Sequence, residues 1–162
     1  MICRLSNKQK RIDLAVKAMK RLKEFTLDIY DEGVDKENIL KLIRDNNLTN
    51  VFLNGGTNKV KEKLDESGIF IMTSDYEGYP ITTIEVMRRG LPIILRNTFD
   101  SALDIVKDNG ILLDKEWNED EFIEGIERIY NNYEYYSLNS IKMGKRYDFD
   151  LIKKEWDKII LN

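Results

Sequence analysis

Apolar residues along this chain fall into short uninterrupted runs and longer helical stripes, and the two kinds alternate. Val51-Phe52-Leu53, Ile69-Phe70-Ile71-Met72 and Pro92-Ile93-Ile94-Leu95 are compact runs with few polar interruptions. Such runs predict strands buried on both faces, the habit of parallel sheets. Leu27-Asp28-Ile29-Tyr30 and Gly110-Ile111-Leu112-Leu113 predict two more strands, and Met1-Ile2-Cys3 a truncated first one. Between them, Ile12, Ala15, Val16, Met19 and Leu22 keep the i, i+3, i+4, i+7 spacing of a helix with one apolar face, as do Ile39, Leu42 and Ile43. From Glu119 onward only helical spacing remains, with Phe122, Ile126, Ile129 and Tyr130 on one face and Ile152, Trp156, Ile159 and Ile160 closing the chain.

Strand–helix alternation means βαβ crossovers. The predicted fold is therefore α/β: a Rossmann-like, doubly wound parallel sheet of about six strands, helices on both faces, and a helical carboxyl-terminal end. No repeat, low-complexity tract or linker interrupts residues 1–162, which read as a single domain. Ligands of such sheets bind beyond the carboxyl ends of the strands. That rule singles out the residues just after Cys3, Tyr30, Leu53, Met72 and Leu95.

Composition narrows the chemistry. Lysine and arginine total 26 against 29 aspartates and glutamates, a net charge of −3, with no basic tract, so a nucleic-acid partner is not expected. Histidine is absent, which removes histidine general bases and most zinc sites. The single cysteine, Cys3, has no internal disulfide partner and fits a reducing, cytoplasmic setting. No apolar run approaches the ~20 residues that span a bilayer, so at most peripheral contact with the membrane's inner face is expected.

The densest motif runs from Ile69 to Leu95. A strand ends at Met72, a turn carries Glu77-Gly78-Tyr79-Pro80, a helix begins near Ile81 and holds Glu85, and Gly90 ends it before Leu91-Pro92. Pro80 costs nothing beside a first turn, and Gly90 after Arg88-Arg89 is a good helix stop. A helix N-terminus at a strand's carboxyl end offers free N–H groups and a positive dipole end to an anion. The bare spacing of Glu77 and Glu85 carries nothing, because Glu24/Glu32, Glu116/Glu124 and Glu119/Glu127 share it among fourteen glutamates. The setting carries it: strand, Ser-Asp-Tyr, Glu-Gly-aromatic-Pro, a helix with Ile-Glu-Val-Met, then Gly-Leu-Pro.

That arrangement resembles the motif of retaining glycosyltransferases of family 4 (group 1), which have the GT-B fold. Arg4-Leu5-Ser6-Asn7-Lys8-Gln9-Lys10 resembles the family's segment whose arginine and lysine grip the donor diphosphate. Val51-Phe52-Leu53-Asn54-Gly55 resembles its nucleobase turn, and the closing helix with Trp156 its terminal helix. The resemblance covers only the carboxyl-terminal, donor-binding half, which implies that an amino-terminal acceptor-binding domain lies outside these residues. It implies transfer of a hexose from a nucleotide diphosphate sugar, uridine slightly favoured, to a glycan or lipid-linked acceptor, without metal or cofactor. Glu77, Arg4 and Lys10 become the expected catalytic residues. Glu85, Gly78, Tyr79, Ile81, Thr82, Asn54, Gly55 and Gly33 become the expected donor-binding residues.

The sequence departs from the family at three places. A usual Gly-x-Gly appears as Asp31-Glu32-Gly33, a glycine-rich turn is replaced by Arg96-Asn97-Thr98, and Arg88-Arg89 stands where small residues are common. The acidic Asp31-Glu32 pair supports an alternative reading, a non-catalytic nucleotide-sugar-binding partner subunit. Asp148-Phe149-Asp150 spells the metal-holding Asp-x-Asp of the other glycosyltransferase fold, but directly before an amphipathic helix it reads as an N-cap.

Overall fold

The computed structural model describes residues 1–160 and is built from five strands and nine helices among them. In order these are α1 Asn7–Lys10, α2 Ile12–Ala18, β1 Leu27–Tyr30, α3 Lys36–Asp45, β2 Val51–Gly55, α4 Val60–Asp65 and β3 Phe70–Met72. There follow α5 Ile81–Arg88, β4 Ile93–Arg96, α6 Ala102–Ile105, β5 Gly110–Leu113, α7 Glu119–Asn131, α8 Tyr133–Lys145 and α9 Phe149–Ile160. Every strand pair is parallel, but the strands form two hydrogen-bonded sheets where one was expected: β1 with β2, and β3-β4-β5 in that order.

The strand count falls short of the expected six. Met1-Ile2-Cys3 does not form a strand; Ile2 makes one isolated parallel bridge to Tyr30. The reason is local. After hydrogen bonds from Cys3 to Tyr30 and from Leu5 to Glu32, the chain turns at Ser6 into α1, so the pairing stops as it begins.

Burial explains why the strands read as continuous apolar runs. Ile71 and Ile94 point into a cluster with Ile12, Val16, Ile39, Phe122 and Ile129. Their neighbours Phe70, Met72, Ile93 and Leu95 point into a second cluster with Leu64, Val86, Met87 and Ile105. Alternate residues thus feed cores on opposite faces, covered by α2, α3 and α7 on one side and α4, α5 and α6 on the other. That is the doubly wound arrangement.

Two details shape the end of the motif helix α5 and the seat of α8 beside it. Gly90 has φ 72°, the left-handed stop expected after α5. The Ser140 hydroxyl donates to the Leu91 carbonyl at 2.6 Å. α9 differs from the rest: none of its residues is buried, and Phe149, Trp156, Ile159 and Ile160 are exposed. Among the described residues, no helix is long and apolar enough to cross a membrane.

Candidate active site

The carboxyl end of β3 runs into Thr73-Ser74-Asp75-Tyr76-Glu77, and this loop meets the end of α1. The meeting is held by backbone and side chain together. Asp75 donates its N–H to the Gln9 carbonyl at 2.8 Å, and the Thr73 hydroxyl donates to the carbonyls of Lys10 and Arg11 at 3.0 and 2.9 Å. Gln9 Nε2 donates to the Tyr76 carbonyl at 3.1 Å and reaches Glu77 Oε2 at 3.5 Å. Across this joint Lys10 Nζ stands 2.6 Å from Glu77 Oε1, with the two side chains 16% and 10% exposed. A shielded pair interacts more strongly than an open one, because less water screens it.

Which cation faces Glu77 is thereby settled among Lys8, Lys10 and Arg11. Lys8 makes no ion pair among the described residues, whereas Arg11 bonds Asp13 at 3.2 Å and Asp75 at 3.3 Å. Burial works against a charge on Asp13, but hydrogen bonds from Arg11 and Asn7, with the Arg11 charge, outweigh it and hold this carboxyl below its usual range. Burial pushes the Cys3 thiol up to about 11, so it stays protonated beside the site.

The other expected residues take defined places. Arg4 is exposed, and its guanidinium has no partner among the described residues. Ile81 and Thr82 open α5, and neither N–H has an acceptor among the described residues; the first bond of that turn runs from Thr83 to the Pro80 carbonyl at 2.9 Å. A β-carbon added at Gly78 would meet no protein atom within 4 Å, so packing at that atom does not demand glycine. Glu85 lies exposed on α5 without an ion pair among the described residues, and Arg89 pairs with Asp65 rather than with Glu85. Burial, and then a hydrogen bond with the hydroxyl of Tyr147 just past the end of α8, raises the Tyr79 pKa.

Asn54 and Gly55 end β2, and Gly33 follows β1 in the chain. Asn54 Nδ2 donates to Asp28 at 2.7 Å, and the Gly55 carbonyl accepts from Asp31 at 2.9 Å. Gly33 is required by packing, since any β-carbon would run into the Leu5 backbone. Neither acidic side chain of the departing loop is free. Glu32 pairs with Lys36 at 3.0 Å, and Asp31 accepts from the Glu32 N–H at 2.7 Å. The Asp148 carbonyl accepts from Leu151 and Ile152 at the start of α9, but its carboxylate bonds Arg88 at 3.1 Å and caps no helix N–H among the described residues.

Sequence reasoning passed over Gln9, Asp75 and Arg96. Arg96 closes an apolar strand and yet is 5% exposed, its guanidinium bonded to Thr73, Asp75 and Lys115. The only sequence signal was a glycine-rich turn replaced by larger residues.

A doubly wound parallel domain with a shielded lysine–glutamate contact beyond the carboxyl end of β3 belongs among the open α/β folds, whose ligands bind at that end of the strands. The chain is a member of the family described as Glycosyl transferases group 1, whose profile matches residues 1–144. It is 31% identical over 147 residues to an uncharacterized glycosyltransferase of Haemophilus influenzae, covering 87% of this chain and 41% of that one. It is 30% identical over 158 residues to the poly(ribitol-phosphate) alpha-N-acetylglucosaminyltransferase of Staphylococcus aureus, covering 91% and 32%. Among solved structures it is similar to a mutant of S. aureus TarM in complex with fondaparinux, alpha-GlcNAc-glycerol and UDP. The TM-score is 0.84 with 26% identity, covering 96% of this chain and 33% of that one. The chain thus spans less than half the length of the relatives it matches.

Proposed function

We propose that this chain is the donor-binding half of a retaining, metal-independent glycosyltransferase of family 4 type, which moves a hexose from a nucleotide diphosphate sugar to a glycan or lipid-linked acceptor. The observation that carries the reading is the shielded Lys10–Glu77 contact at the mouth of α5. In this reading the donor diphosphate lies across the free N–H groups of Ile81 and Thr82, with Lys10 and Arg4 on its oxygens. Lys10 then leaves Glu77, whose carboxylate turns to the hydroxyls of the transferred sugar, while Glu85 takes the ribose hydroxyls. Asn54 and Gly55 flank the nucleobase.

The chemistry follows from charge. Breaking the glycosidic bond leaves negative charge on the β-phosphate, and two cations with a helix N-terminus stabilise it where it develops. UDP is the favoured carrier, since the TarM structure holds UDP. The staphylococcal relative is named for an alpha linkage. Retention of configuration follows if an α-configured donor gives such a product. Acceptor binding is assigned to the part of the enzyme outside these residues, and the site of action to the cytoplasmic side, with at most peripheral membrane contact.

The roles separate in kinetics. In the intact enzyme, Glu77→Ala is expected to lower turnover by ~100-fold or more with little change in UDP affinity, because its contact forms at the transferred sugar. Lys10→Ala is expected to lower both. Unchanged turnover in Glu77→Ala contradicts the assignment.

A further inference from the structure

We infer that Arg96 is a positioning residue for the candidate site: its buried guanidinium clamps the β3 loop so that Lys10 and Glu77 face one another. The inference deepens the donor-site reading and rests on it for the ligand, though not for the geometry. Arg96 Nη1 donates to the Thr73 carbonyl at 3.0 Å and to Asp75 Oδ1 at 2.5 Å, while Nη2 donates to the Lys115 carbonyl at 2.6 Å. One planar group thus ties the ends of β3 and β4 to the segment after β5, a span that a lysine's compact ammonium reproduces only in part.

The two residues it grips each carry the clamp onward. Thr73 holds the Lys10 and Arg11 carbonyls through its hydroxyl, and Asp75 holds the Gln9 carbonyl through its N–H and Arg11 through its carboxylate. Gln9 and Lys10 then meet Tyr76 and Glu77. The path from Arg96 to Lys10 is therefore unbroken, two hydrogen bonds long through Thr73. Burying a guanidinium is unfavourable unless its donors are met, and here Nε has no partner among the described residues. An arginine retained at that cost, where the resemblance expects a glycine-rich turn, has its reason in what it holds in place.

Arg96→Gln and Asp75→Asn test this in the 162-residue chain. Asp75→Asn removes the charge that Arg96 and Arg11 both grip, so it loosens the second arm of the clamp and carries the test if Arg96→Gln fails to fold. Two readouts are taken on folded protein: side-chain NOEs between Lys10 and Glu77 without ligand, and UDP affinity by titration. Loss of those NOEs, a UDP affinity weakened at least fivefold, and partial recovery in Arg96→Lys are expected. The Lys10→Ala/Arg96→Gln pair should bind no more weakly than Lys10→Ala alone, since the clamp acts through Lys10. Intact NOEs in both variants overturn the inference, as do losses that simply multiply. Failure of the unaltered chain to bind UDP would overturn the donor-site reading, while the NOEs still decide the clamp.

Discussion

Asp31 adopts φ 125° at the end of β1, in the region that glycine favours and other residues enter at a cost. It stands where the resemblance expects a glycine, so the sequence shows a departure and the backbone shows what the departure costs. Relief of such strain is worth about 1–3 kcal/mol, and the extra freedom of an unfolded glycine returns part of it. Asp31→Gly is therefore expected to stabilise the chain by about 1 kcal/mol in urea denaturation. A destabilised variant would show that the Asp31 carboxylate, through its bond to Glu32, is worth more than the strain. The same scale shows what was legible and what was not. Glu77, Gly78 and Lys10 could be named because their neighbours in sequence form a motif. Arg96 could not, because an arginine ending an apolar run looks like the last exposed residue of a strand until its partners are known, and Asp75, though inside the motif, carries no sign of those partners in sequence.

Strands β2, β3 and β4 were legible as elements because both their faces are covered, leaving no polar alternation to blur the pattern. The amino-terminal strand was over-read: an apolar start was visible, but the turn at Ser6 that ends its pairing was not. The stripe from Ile12 to Leu22 does lie buried, though α2 itself ends at Ala18. At its start Arg11 takes a left-handed φ of 46° between α1 and α2, and it bonds Asp13 in the first turn of α2. The folded state holds the Asp13 carboxyl below its unfolded pKa of about 3.9. Its stabilisation is thus present above that value and is lost as pH falls through the lower folded one. Asp13→Asn should flatten the acid limb of stability against pH, read by thermal melts between about pH 2 and 5. An unchanged limb would mean that other carboxylates account for the acid loss.

At the scale of the molecule, the meeting of Lys10 and Glu77 lies beyond the carboxyl end of β3, whose residues are anchored in the two cores beneath. α9 lies outside both cores with an apolar face uncovered, and the sequence showed its stripe but not what it packs against. The groups proposed to hold the diphosphate and the nucleobase all lie within this chain, so on that proposal it is expected to bind nucleotide diphosphates alone. Transfer is expected to fail, because acceptor binding and the closure that excludes water are assigned elsewhere. The most direct test is a UDP titration of the isolated chain and its Lys10→Ala variant, followed by ligand-observed NMR. The account predicts a Kd of about 1 mM or tighter for the unaltered chain and about tenfold weaker binding once the lysine contact is lost. No UDP signal at millimolar ligand, or equal binding by both proteins, would contradict it.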